Sequence, residues 1–283
     1  MSLHRQHRLP SASSVAAGSI AVIKVPVGNR RYRAIDLKCW NDGELMTEAQ
    51  MKSLIKLVSF KINGVSRFEL TATDIIDLLN KYKDRAFKLG NLLIPLADDY
   101  AKYQTFEEML TWNTGNVSTF DIEITIDSTA VNPRIEGFAF ETLPETSSDG
   151  KTQVVHNLGA IRECHVFNYR TSGAGDLEIA DLPKGNGSLA AIHLKSADIT
   201  GLRLVCDNFE VYGADIDVYD LMLSEIGTRV PQSGYVHIDQ MILDRLADVL
   251  ALKSIQDFRL IVTTSKATDI RCVMETINTP VLT

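Results

Sequence analysis

Paired cysteines, paired histidines and long apolar runs are all missing from this chain, and each absence removes a class of function. The four cysteines, Cys39, Cys164, Cys206 and Cys272, are too sparse for a disulfide framework and lack the C-x-x-C spacing of a zinc site. Each sits in a β-like run, so all four are expected to be small buried hydrophobes. The histidines, His4, His7, His156, His165, His193 and His237, include no His-x-His pair of the kind a cupin-type metal enzyme needs. His193, in Ala190-Ala191-Ile192-His193-Leu194, is expected to be a satisfied core histidine rather than a ligand. Cys164-His165 invites a thiol-protease reading, but neighbours along a strand point to opposite faces and cannot act as nucleophile and base. Gly173-Ala174-Gly175 lacks the third glycine of a dinucleotide loop, and there is neither a P-loop nor a G-x-S-x-G. No apolar run approaches the roughly 18–20 residues that cross a bilayer. The basic opening is followed by a Ser/Ala/Gly-rich stretch too poor in strong hydrophobes for a signal peptide, so synthesis in a cytoplasm is expected.

What is present is enough apolar material for two packed cores: 283 residues, 45% hydrophobic and 23% charged. The charge is uneven. Residues 1–35 hold Arg5, Arg8, Lys24, Arg30, Arg31 and Arg33 and no carboxylate, which makes them +6; with −7 overall, the remainder carries −13. An acidic body with a basic leading segment excludes the broad cationic face that duplex nucleic acid requires, and no direct nucleic-acid contact is expected. A local contact with an anionic surface such as lipid head groups is compatible with it. Carboxylates recur at Asp98-Asp99, Glu107-Glu108 and Asp215, Asp217 and Asp220. Most are expected to be solvated surface or helix N-terminal charges. A structural Ca2+ bridging subunits through such oxygens is compatible with their chemistry, although the twelve-residue EF-type loop is absent.

The chain also repeats itself. Phe68-Glu69-Leu70-Thr71-Ala72-Thr73-Asp74-Ile75 resembles Phe209-Glu210-Val211-Tyr212-Gly213-Ala214-Asp215-Ile216, at an offset of 141 residues. Both continue with helical spacing, through Ile75, Leu78, Leu79 and Tyr82 or Ile216, Tyr219, Leu223 and Ile226. Each is preceded by a strand and a two-residue turn, Asn63-Gly64 or Asp207-Asn208. Each half ends in two β-like runs, Phe120–Ile126 then Phe138–Leu143, and Phe258–Thr264 then Val273–Ile277. Five features in the same order imply two copies of one β-rich domain. Pro144–Lys151 is polar and without periodicity, and reads as the linker. The expected organisation is a basic N-terminal arm over 1–16, a first domain over 17–143, a linker over 144–151 and a second domain over 152–283. Many short strands and one helix after a central hairpin fit a jelly roll better than an immunoglobulin-type sandwich. The fold class is therefore all-β: two tandem jelly-roll β-sandwiches, a double jelly roll, each with a short inserted helix.

Several stretches resemble a known family. Ser13-Ser14-Val15-Ala16-Ala17-Gly18-Ser19-Ile20-Ala21-Val22-Ile23-Lys24-Val25-Pro26-Val27-Gly28, with Ile35-Asp36-Leu37, is similar to the opening of the major capsid protein of corticoviruses, tailless membrane-containing bacteriophages. Leu177-Glu178-Ile179-Ala180-Asp181-Leu182-Pro183, continuing through Ala190–Lys195, resembles the same family, as do Ile62-Asn63-Gly64 and Asp257-Phe258-Arg259-Leu260. The helical-looking Asp98–Trp112 segment departs from the pattern. The resemblance implies an icosahedral virion in which the chain forms homotrimers that look hexagonal from outside. It also implies neighbouring trimers, a separate vertex (penton) protein and an inner viral membrane as partners, a place in the capsid shell after synthesis in the host cytoplasm, and no catalytic site. Three chains of two similar domains place six similar units around an axis. His4, Arg5, His7 and Arg8 are the candidate membrane-facing residues of the arm.

Two other readings remain open at this point. A carbohydrate-binding or glycoside-cleaving double β-sandwich would show aromatic platforms, and here aromatics are only 7%, with Trp40 and Trp112 the two tryptophans. A minor jelly-roll virion or spike protein is the second.

Overall fold

A computed structural model describes residues 4–97, 109–143, 146, 152–184, 187–213, 215–227 and 229–282. The chain divides into two compact units. The first comprises residues 1–81, 85–162 and 279–283, and the second comprises Tyr82–Asp84 and Glu163–Asn278.

The first unit is built on β1 (His4–Arg8), β2 (Ile20–Lys24), β3 (Arg31–Asn41), β4 (Ile55–Ile62), β5 (Val65–Leu70), β6 (Asn91–Pro95), β7 (Phe120–Ile126) and β8 (Arg134–Thr142). One sheet runs β1-β8-β3-β6 and the other β2-β7-β4-β5, all antiparallel. That order is the jelly roll. The second unit repeats it with β9 (Ile161–Arg170), β10 (Gly175–Ile179), β11 (Ser188–Lys195), β12 (Ile199–Cys206), β13 (Phe209–Tyr212), β14 (Tyr235–Asp239), β15 (Phe258–Thr264) and β16 (Asp269–Asn278). Its sheets run β9-β16-β11-β14 and β10-β15-β12-β13. Each of these eight strands of the first unit thus has its counterpart eight strands later.

The strands form where apolar residues alternate. In β7, Phe120, Ile122, Ile124 and Ile126 are buried and the residues between them are not, and β15 repeats this with Phe258, Leu260, Val262 and Thr264. The first core centres on Phe60, Trp112 and Phe120, whose ring centroids lie 5.5–5.8 Å apart, with Trp112 edge-on to Phe60. The second is aliphatic, with Leu189, Ile192, Leu194, Leu204, Leu260 and Val262 among its buried members.

The central hairpins show how local chemistry recurs. Asn63 and Gly64 both have positive φ (49° and 76°), as do Asp207 and Asn208 (49° and 64°), which is the type I′ geometry. The side chain of Asn63 accepts from the backbone N–H groups of Ser118 and Thr119, at 2.9 and 3.2 Å. Asp207 does the same for Gln256 and Asp257, at 2.9 Å each. One turn residue therefore fixes the hairpin and ties it to the approach of the next paired strand.

This register corrects the 141-residue offset. Val65 faces Ile62 and Phe209 faces Cys206 across the turns, and after one bulge Phe68 faces Phe60 and Tyr212 faces Leu204. Phe209 is thus the counterpart of Val65, and Phe68 that of Tyr212, at an offset of 144. Burial agrees: Phe68 and Tyr212 are buried while Phe209 is 71% exposed. A second repeat had gone unseen. Ala34-Ile35-Asp36-Leu37-Lys38 in β3 and Ala191-Ile192-His193-Leu194-Lys195 in β11 occupy the same register after a bulge at Arg33 and Ala190.

Helices follow both hairpins. Thr71 caps α2 (Ala72–Asp74) in a capping box with Asp74. The helix then widens into a π-turn over Ile75–Asn80, with the Asn80 amide donating to the carbonyls of Ile75 and Leu93, and tightens over Lys81–Lys83. Asp215 precedes α3 (Ile216–Glu225). The first unit carries an additional helix, α1 (Glu48–Leu54), capped by Thr47 and Gln50.

The expected arm over 1–16 is also corrected. His4–Arg8 is β1, the first strand of the first jelly roll, paired along its length with β8 and followed by buried Leu9. A polar strand needs no apolar face when its backbone groups pair with a sheet edge. The second strand order likewise begins at Ile161 rather than 152, and of the expected linker only Thr146 lies within the described residues. The Asp98–Trp112 segment lies largely outside them, and Trp112 itself pairs with Tyr32 beside β3.

Candidate functional site

The residues with chemistry gather on the outward face of the sheet that holds β1 in the first unit and β9 in the second. In the second unit this face holds a buried polar chain. His193 on β11 and His237 on β14 are directly paired, and both are fully buried. Their Nδ1 atoms are 2.8 Å apart, and His193 Nε2 lies 3.2 Å from Glu275 Oε1 on β16.

The tautomers follow from one fixed donor. The backbone N–H of Gln232 donates to His237 Nε2 at 3.1 Å, so the proton of neutral His237 sits on Nδ1. It is donated to His193 Nδ1, which leaves the His193 proton on Nε2 to be donated to Glu275. The chain ends on Glu275, with Lys83 Nζ 3.8 Å from its other oxygen. Burial, and next the neighbouring His193, push the His237 pKa well below its ordinary value, against the opposing pull of Glu275.

Tyr82 lies on top of this chain. Its ring stacks on His237 at 4.3 Å and meets His193 edge-on at 5.1 Å, and its hydroxyl donates to Asp239 Oδ2 at 3.1 Å. Asp239 is held by the Arg229 guanidinium (Nε, 2.8 Å) and the Met241 N–H (2.8 Å), while Arg229 also reaches Asp244 at 2.7 Å. A buried carboxylate against a buried guanidinium, with further hydrogen bonds on both, is a structural network. His193 is thus the satisfied core histidine expected, but single-residue reasoning missed His237, Glu275 and Tyr82. The pairing signal lay in the Ala-Ile-x-Leu-Lys repeat.

Among the described residues, the same face of the first unit is open. A groove of about 760 Å³ is lined by Asp36, Leu93, Pro95, Phe138 and Phe140, with Lys38, Arg85 and Lys88 among its cationic members. The registers make these the counterparts of the residues under Tyr82. Asp36 matches His193, Leu93 matches His237, Pro95 matches Asp239 and Phe140 matches Glu275. Asp36 Oδ1 is buried without a hydrogen-bond partner among the described residues. Burial raises its pKa to about 6, with Lys38 opposing.

The predicted membrane-facing residues share β1, and most of their charge is spent locally. Arg5 pairs with Glu141, whose carboxylate also takes Arg30 at 3.1 Å and has His7 Nδ1 at 3.8 Å. Arg8 reaches Glu136 at 2.9 Å, and His4 stacks on Phe140 at 5.6 Å. Asp215 and Asp217 lie at the start of α3 and Asp220 in its middle, and all four cysteines are buried free thiols. Among the described residues no helix is long and apolar enough to cross a membrane.

Comparison with known proteins agrees with this architecture. The family described as viral coat protein P2, N-terminal domain, matches residues 6–147, and its C-terminal domain matches residues 161–280. No curated protein sequence matches. Among solved structures, the major capsid protein P2 from bacteriophage PM2 superposes with a TM-score of 0.87 at 22% identity, covering 99% of this chain and 98% of that one. The structure of Sulfolobus turreted icosahedral virus matches with a TM-score of 0.70 at 11% identity (98% and 91% covered). The PBCV-1 virus capsid matches at 0.62 and 8% (100% and 97%). Likeness at these identities extends the fold, and the two domain matches together span most of the chain. This chain belongs to the viral coat protein P2 family: it is a double jelly-roll structural protein of the virion capsid, not an enzyme.

Proposed function

We propose that the chain is the major shell protein of an icosahedral virion with an internal membrane, and that it works as a homotrimer. The observation that carries this reading is the same eight-strand order found twice in one chain. Three such chains supply six similar sandwiches around one axis, a unit that tiles a hexagonal lattice. Neighbouring trimers, a separate vertex (penton) protein and the membrane are its proposed partners. Sedimentation equilibrium of the purified chain at micromolar concentration should give three times 31.4 kDa. Obligate interfaces usually bury roughly 2,000 Å² or more, so a persistent monomer would remove the reading.

The membrane contact proposed for His4, Arg5, His7 and Arg8 rests mainly on Arg8, since Arg5 is held by Glu141. The side chains of Arg8 and Arg134 are 56% and 64% exposed and share Glu136. Each basic residue near an anionic leaflet contributes about 1 kcal/mol, so the effect requires several copies acting together. The Arg8→Gln, Arg134→Gln variant should keep its oligomeric state and lose binding to phosphatidylserine vesicles at low salt. Unchanged binding would exclude these residues.

A further inference from the structure

The two jelly rolls differ at one place where their repeat predicts likeness. In the second, the outward face of the β11–β14–β16 sheet is filled by Tyr82, from the last turn of the helix of the first half of the sequence. In the first, the equivalent face is the open groove of about 760 Å³. The helix of the second half is the counterpart of the element that supplies Tyr82. The 144-residue offset of the hairpins carries Thr71 to Asp215, Leu79 to Leu223 and Tyr82 to Ile226. Leu79 and Leu223 are both buried, as the alignment requires, whereas Tyr82 is buried and Ile226 is 57% exposed.

Ile226 is not alone. Ile216 and Tyr219 pack against the core of the second unit and Leu223 is buried, while Val218, Leu221, Met222 and Ile226 form an exposed apolar stripe at helical spacing. Among the described residues there is therefore a socket without a plug and a plug without a socket. A contact between different surfaces propagates from copy to copy until a ring closes, whereas a self-complementary contact would already be satisfied in a pair.

Charge agrees with this match. From Asp215 to Glu225 the helix segment carries Asp215, Asp217, Asp220 and Glu225 and no cation. The groove brings Lys38, Arg85 and Lys88 to its wall. Opposite potentials on two surfaces steer the encounter and set the register.

We propose that the exposed face of α3 in one chain, ending in Ile226, fills the Asp36–Leu93–Phe140 groove on the first jelly roll of a second copy, and that three such contacts close the trimer. This rests on the trimeric reading above and names the surfaces that make it. The Asp36 carboxyl, short of a donor in the single chain, lies in the buried part of that contact.

The test is a pair of cysteines at exposed positions, Leu93→Cys with Ile226→Cys, the native cysteines being buried. Mild oxidation should give a covalent trimer on a non-reducing gel, and neither single variant should. A second variant, Leu221→Asp with Ile226→Asp, alters only exposed side chains and should weaken self-association roughly 100-fold or more, as loss of two buried apolar contacts requires. A trimer in sedimentation that gives no interchain disulfide, or gives only an intrachain one, overturns the docking and leaves the trimeric coat standing. So does a doubly acidic variant that remains trimeric. An unmodified chain that stays monomeric overturns the trimeric reading itself.

Discussion

Lowering the pH should unfold the second jelly roll through His237 before general acid denaturation begins. In the native chain His237 is held neutral, because its Nε2 accepts the Gln232 N–H and its Nδ1 proton is given to His193. A second proton would have to go on Nε2, opposite that donor. The groups that surround it among the described residues are His193, Glu275, Lys83, Tyr82 and Tyr235, with the Asp239–Arg229 pair beyond, and the contact made at Nε2 is the Gln232 N–H donor.

The folded pKa is lowered, so the contribution is complete above the unfolded value of 6.5 and is lost as pH falls toward the folded value. In that window the unfolded chain holds one more proton. Stability then falls as pH is lowered through this window, with a limiting slope of about 1.4 kcal/mol per pH unit for one proton. Urea unfolding at pH 7.5, 6 and 5, read by pulsed hydrogen exchange of β11 and β14 peptides, measures it. His237→Asn keeps a donor toward His193 but has no group to titrate. It should cost about 1–3 kcal/mol at pH 7.5 and flatten the slope. Equal slopes in the wild-type chain and the variant would refute the reasoning and place the acid sensitivity elsewhere.

Other perturbations separate the remaining contributions. Asp36 should act in the opposite direction in the isolated chain. Its raised pKa of about 6 means the native state takes the proton first, so the first jelly roll gains stability as pH falls from about 6 toward 3.8. Trp40 and Trp112 both lie in the first unit, so tryptophan fluorescence reads this, and Asp36→Asn should abolish it. Arg229→Leu leaves Asp239 buried without its cation and should destabilise the second jelly roll by about 3–5 kcal/mol in denaturant titration. Asp207→Ala and Asn63→Ala each remove an acceptor from two backbone N–H groups, and each should cost about 1–2 kcal/mol in its own unit only. Loss in both units from either single variant would contradict the independence of the two hairpins.

Much of the fold could be read in the sequence because its signals are local. Alternation in Phe120–Ile126 and Phe258–Thr264, the Asn63-Gly64 and Asp207-Asn208 turns and the helical spacing after them depend only on residues a few places apart. They are enough to establish a duplicated all-β chain. Register is not local. Loops of different length let the offset between repeats change from 157 at Ala34 and Ala191 to 144 at Asn63 and Asp207, so one offset could not align both. A slip of a few residues turned Phe209 into the partner of Phe68 and hid the likeness of Ala34–Lys38 to Ala191–Lys195.

The N-terminal strand was illegible for a related reason. His4–Arg8 has no apolar face, and its order comes from backbone bonds to β8, more than a hundred residues away. The buried chain of His193, His237 and Glu275 was hidden because its members lie on three strands that become neighbours only in the sheet. The sequence by itself determined the type, number and repetition of the elements, since those follow from side-chain periodicity and turn chemistry. Only the tertiary structure decided which outward face is filled and which, among the described residues, is open, because that depends on whether a distant residue such as Tyr82 reaches the same position in each repeat.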